Sequence, residues 1–167
     1  YHIISNDLRN YAYFASQASS STIRMLFLDS LEVERQALNR LLKLAEALEI
    51  SHLESYEPLA GANAFTNYMS KLVLFGSDGE VLTATVIDLP VWGSNCSRIG
   101  TALKKNYHLN PEDASFFDLF AQPLPEEFVK EADKVITSEL PHNTNLLKRV
   151  AKLILEYELM FWNTIYE

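Results

Sequence analysis

Three acids stand where apolar side chains belong. In the last segment, Leu147, Ala151, Ile154, Phe161 and Ile165 recur at three- and four-residue steps, the period of a half-buried helix, and Glu158 sits in that stripe. Glu34 lies between Leu31 and Leu38 in an equally regular stripe. Asp88 stands two residues before Pro90, with Trp92 one turn on. A carboxylate on an inward face costs several kcal/mol unless it is paired or takes a proton. Carboxyls converging on a cavity can share a proton, orient an amine or ligate a metal. The plainer alternative is that each sits at a helix-face boundary or pairs with a base such as Arg35 or Arg98. Glu156, on the side of Arg149 and Lys152, needs no explanation beyond solvent.

Cys96 is the single cysteine, which rules out an intrachain disulfide and a Cys-rich zinc site. As a nucleophile it would need a base or a positive neighbour, and Arg98 does not share its face on a regular helix. A lone cysteine also serves as a small buried apolar group. Tyr68 could donate a hydrogen bond to a ring nitrogen or leaving group. Trp92, Phe120, Phe161 and Trp162 could sandwich a flat ligand, or simply fill the core. The histidines, at positions 2, 52, 108 and 142, are not paired at helical metal-ligand spacing. Di-iron sites of helix bundles need Glu-x-x-His motifs, which the chain lacks. This reading calls for no metal and no cofactor.

The elements that would carry these residues are helices. Residues 7–18 place Tyr11, Phe14 and Ala18 on one side, and Ser21 or Thr22 could cap the next helix, 23–49. A connector with Pro58 and Gly61 leads to a helix over 64–75 capped by Asn63, with Phe65, Tyr68, Met69 and Leu72 on its apolar side. SDG at 77–79 predicts a turn. The run VLTATVIDLPVW favours strand by propensity, but a lone strand has no partner, so a helix is expected, bent at Pro90 and unwound near Gly93 and Ser94. Asn110-Pro111 opens a short aromatic helix through Phe116 and Phe120. Helices over 126–138 and from 145 onward, separated by a loop at 140–144, complete the pattern. About seven helices with short connectors describe an all-α bundle.

The 167 residues, 48% hydrophobic, suffice for one sizeable core in a single domain spanning 1–167. A net charge of -8 and no Lys/Arg cluster argue against nucleic acid or an anionic membrane surface as partner. No long apolar span or secretory signal is visible, so a cytoplasmic protein is expected. The chain begins at Tyr1 without a methionine, which leaves room for an upstream segment carrying a first helix.

The closing YELMFWNTIYE is similar to the final motif of the TenA/thiaminase II family, where Tyr-Glu precedes Phe-Trp and a last aromatic. EISHLESYEPLAGANAFTNYM resembles the family's connector and helix start, and GEVLTATVIDLPVW followed by RIGTAL resembles its bent helix. The aromatic segment 116–128 falls where the family carries an aromatic cluster. The resemblance spans almost the whole chain with sparse identities, and the closing motif is its most specific part. It implies a haem-oxygenase-like bundle, assembly as a dimer or tetramer, and hydrolysis of thiamin-derived aminopyrimidines or of thiamin itself.

Carried over by residue, Glu158 matches the family's catalytic C-terminal glutamate. Tyr68 or Phe65 falls at a pocket tyrosine, and Glu34 falls near an acid on the second long helix. The position of the family's nucleophilic cysteine holds Val91 or Trp92, and Cys96 comes about one turn later. LRNYAYFASQASS stands in place of the family's first motif, whose pyrimidine-holding aspartate falls on Ala15. The resemblance thus implies a divergent, cysteine-independent member. It would bind a small planar heterocycle and hydrolyse aminopyrimidines through Glu158, with Asp88 orienting water and Glu34, Tyr68, Phe65, Trp92, Phe120 and Phe161 around the ring. The alternative is a catalytically silent bundle for ligand binding or assembly. A haem or quinone oxidase on the same fold lacks a convincing proximal histidine.

Overall fold

The computed structural model describes residues 1–166; Glu167, the last residue of the closing motif, lies outside the described residues. Helices joined by short connectors make up the described residues, with no strand among them. In chain order they form α1 (His2–Gln17), α2 (Ser21–Ala47), a 3-10 turn (Leu53–Ser55), α3 (Ala60–Phe75), α4 (Asp78–Asn106), α5 (Ser115–Phe120) and α6 (Glu126–Tyr166). The arrangement is the all-α bundle expected from the stripes. Helix α6 lies along α4 and α3, α1 lies along α2 and α3, and α5 bridges α4 and α2. No described helix is long and apolar enough to cross a membrane.

Local signals explain most boundaries. Ser20, one residue before the expected caps, accepts the Ile23 amide at 3.2 Å and starts α2. The turn expected at 77–79 is instead a helix start. Ser77 Oγ accepts the Glu80 amide at 3.2 Å, and Glu80 Oε2 accepts the Ser77 amide at 3.0 Å, a reciprocal capping box. Glu139 of α6 reaches the same end, accepting from Ser77 Oγ at 2.6 Å and from the Gly79 amide at 2.8 Å. A Cβ at Gly79 would stand 2.5 Å from that carboxyl, so glycine is what lets α6 approach. Helix α3 begins at Ala60 behind Leu59, earlier than Asn63 suggested.

The two internal prolines differ in their effect. The expected unwinding after Pro90 does not occur, and α4 runs on as helix through Gly93 and Ser94 to Asn106. The loop expected at 140–144 is a kink: Asn143 leaves helical geometry (φ -127°, ψ 17°) just past Pro141, and the helix resumes. The two arms of α6 correspond to the two helices read from the sequence.

One core lies where α1, α2, α3, α4 and α6 meet. Phe27 is fully buried, with ring centroids 4.4 Å from Phe14 and 6.4 Å from Phe128, and Leu72, Leu82 and Ile154 fill the adjacent layer. A smaller cluster of Ile4, Ala37 and Phe116 seats α5. Two glycines of α4 make that contact close. A Cβ on Gly93 would collide with the Phe120 carbonyl, and one on Gly100 would stand 2.8 Å from Phe117 Cβ.

Candidate functional site

Helix α1 starts at His2, so Ile4, Asp7, Tyr11 and Phe14 all fall on its buried face. Asp7 therefore points inward from the middle of a helix. Across from it, α2 contributes Glu34 and α4 contributes Thr85, Asp88 and Trp92. Phe65 and Met69 of α3 and Phe120 of α5 close a cavity of about 20 Å3, room for about one water molecule.

Asp7, Glu34 and Asp88 are 8%, 4% and 6% exposed, and no lysine or arginine lines the cavity. Arg35, one candidate partner for these acids, binds Glu32 at the surface through contacts of 2.6 and 2.7 Å. Glu158 is 1% exposed and lies behind Asp88 rather than on the cavity wall. The Trp162 indole N–H donates to its Oε1 at 2.9 Å.

The electrostatics follow from four acids without a base. Burial, opposed by the Asn10 amide, raises Asp7 to about 7. Burial and then the Asp7 charge push Glu34 well above the carboxylate range. Asp88 is pushed up by burial, by the charges of Glu158 and Asp7, and by its bond to Glu158. Glu158 is also raised by burial, opposed by the donors Trp162, Asp88 and Asn95. Glu34 Oε2, Asp88 Oδ1 and Glu158 Oε2 are buried without a hydrogen-bond partner.

The sequence-predicted residues divide into three groups. Glu34, Asp88, Phe65, Trp92 and Phe120 meet at the cavity. Glu158 and Phe161 stand behind it. The Phe161 ring is 5.4 Å and the Trp162 ring 5.0 Å from Trp92, which stacks on Phe65 at 6.1 Å. Tyr68 faces α6 instead, its ring 4.8 Å from Tyr157, and does not line the cavity. Of the two candidates for the pocket aromatic, Phe65 is the one at the wall.

Cys96 is 1% exposed, and burial followed by the charge of Glu158 pushes its thiol up to about 12, the opposite of an activated nucleophile. Ala15, where the resemblance put the pyrimidine-holding aspartate, is packed in the apolar core. The acid that α1 brings to the cavity is Asp7, about two turns earlier. Sequence reasoning missed Asp7 because an aspartate at a presumed helix start reads as a cap. Its i, i+4 and i+7 relation to Tyr11 and Phe14 was the available signal. Among the described residues, no group of three or more His, Cys, Asp and Glu is arranged to hold a metal ion.

The described residues thus form a six-helix bundle around a carboxyl-lined, aromatic-walled cavity. Residues 1–167 match the model of the TENA/THI-4/PQQC family, and the chain belongs to that family. A crystal structure of a TenA homologue from Pyrococcus furiosus superposes with a TM-score of 0.75 at 22% identity, covering 98% of this chain and 78% of that one. That likeness establishes the haem-oxygenase-like fold. No curated protein matches the chain significantly.

Proposed function

We propose that the chain binds a small planar amine-bearing heterocycle at the acid cavity and hydrolyses an aminopyrimidine without a cysteine, through the Asp88–Glu158 carboxyl pair. The observation that carries this reading is the pair of buried carboxylate oxygens without partners on Glu34 and Asp88, at a cavity whose lining bears no cation, with a third on Glu158 behind it. Such groups are costly unless something donates to them, and an amine or protonated ring nitrogen donates. Trp92, Phe65 and Phe120 supply flat faces for a ring. Membership of the family makes thiamin-related aminopyrimidines the first candidates.

In this mechanism the raised carboxyl pair exchanges a proton with the leaving amine while water attacks the carbon that bears it. Incubation with aminopyrimidines and with thiamin, followed by product mass analysis, tests it. Removing both carboxyls (D88N with E158Q) lowers turnover at least ~100-fold. Unchanged turnover in that variant overturns the mechanism.

A specific observation favours a second reading, a catalytically silent bundle. The cavity volume of about 20 Å3 admits no ring while Phe120 and Trp92 stay in place. In that reading the acids form a proton-sharing structural cluster, and no aminopyrimidine binds at millimolar concentration.

A further inference from the structure

We infer that the cavity among the acids is a binding site for one ammonium ion, held by Asp7, Glu34, Asp88 and Thr85. The inference stands apart from the reading above, because no ring has to enter and no bond has to break.

Size, charge and the number of acceptors point the same way. A space of about 20 Å3 takes one water-sized body, and ammonium is close to water in size. Asp7 comes from α1, Glu34 from α2 and Asp88 from α4, and no lysine, arginine or histidine lines the space. Glu34 Oε2 and Asp88 Oδ1 are buried without a partner. Among the described residues Asp7 receives only the Asn10 amide, at a long 3.4 Å. Thr85 gives its hydroxyl proton to the Val81 carbonyl at 2.9 Å, which leaves its oxygen able only to accept. Four acceptors thus border one small space. A water molecule has two protons to offer them. Ammonium has four N–H donors and the positive charge that a buried carboxylate needs.

A metal ion fits less well. Metal–oxygen bonds need oxygens converged at about 2.0–2.6 Å. Among the described residues no three of His, Cys, Asp and Glu are arranged to hold one. The N–H donors of ammonium work at longer range, about 2.7–3.2 Å.

Binding exchanges one positive charge for another. Burial raises all three acids, Asp7 to about 7. One of them releases its proton as the ion enters, so the net charge of the buried space does not change. Protons and ammonium therefore compete, and the ion binds more tightly as pH rises. Two further titratable groups face the acids, Tyr11 of α1 and, behind the wall, Glu158 of α6, whose charge also favours a cation. Phe65 and Met69 of α3 and Phe120 of α5 bring no charge.

The experiment is thermal denaturation of the full chain in ammonium, potassium or tetramethylammonium chloride at equal ionic strength, at about pH 6 and about pH 8. At the higher pH the melting temperature should be roughly 2–4 °C higher in ammonium than in tetramethylammonium, and at the lower pH the difference should shrink. Asp7→Asn removes the difference. With isotope-labelled ammonium, NMR of wild type shows one bound ammonium signal apart from that of bulk solution. That signal is read in wild type, so it decides even where Asp7→Asn does not fold. An equal rise in potassium overturns the ammonium assignment, and so does a rise that persists in Asp7→Asn. Absence of both the rise and the bound signal also overturns it, and leaves the space to water. No aminopyrimidine is present in any arm, so failure of this site and failure of the hydrolase reading are told apart.

Discussion

Asp7 on α1 and Glu34 on α2 face each other across the cavity, and the charge of Asp7 is the second cause, after burial, of the raised Glu34. Neither has a cationic partner among the described residues. The consequence for stability has a definite sign. A carboxyl raised on folding binds its proton more tightly in the native state, so its contribution is full below the unfolded value near 3.8 and is lost as pH rises to about 7. Through Asp7 the wild type should therefore lose stability between about pH 4 and 7, by ~1.4 kcal/mol at most for each pH unit crossed. Asp7→Asn should flatten that slope in urea titrations at several pH values. An equal slope in the variant would remove Asp7 as its source.

Gly93 tests how closely α5 is seated. Alanine ordinarily gains up to ~1 kcal/mol over glycine inside a helix. Here the added methyl meets the Phe120 backbone carbonyl, which yields only if α5 shifts. Gly93→Ala should be destabilising by roughly 1–3 kcal/mol, and Gly100→Ala by less, because its obstacle is the Phe117 side chain. Thermal denaturation in which Gly93→Ala melts above wild type would refute this.

Ser77 serves two elements at once, capping α4 and donating to Glu139 of α6. Ser20 caps only α2. Ser77→Ala should cost about 1–2 kcal/mol and Ser20→Ala about 1 kcal/mol or less. Chemical denaturation of the two variants ranks them, and the reverse order would mean that Glu139 contributes nothing.

Burial and the raised thiol make Cys96 inert in the folded chain. A disulfide reagent such as DTNB should therefore label it only after denaturant is added. Labelling within minutes under native conditions would show a thiol far more accessible than the fold allows.

The bundle was legible because long stripes encode it. The Phe27 to Leu48 run of α2 and the Leu147 to Ile165 run of α6 give helix, face and length together. Glu34 and Glu158 were visible as interruptions of those stripes. Asp7 was not, because the expected helix began at it, and an acid at a helix start already has a local reason. Pro90 misled in the same way, whereas the break read at 140–144 is the kink at Asn143. A ring denies one backbone donor, but tertiary packing along α4 holds the helix together past Pro90. Tyr68 and Phe65 sit three residues apart on one apolar side, and only the packing of α6 decided that the phenylalanine faces the acids.

The seat of α5 on Gly93 has a kinetic meaning. A pyrimidine is several times larger than the space beside Phe120, so under the proposed function its capture waits on a rearrangement of the protein rather than on collision. Observed association rates should then level off at high ligand concentration, at a ceiling set by how often the short aromatic helix lifts from its glycine bed.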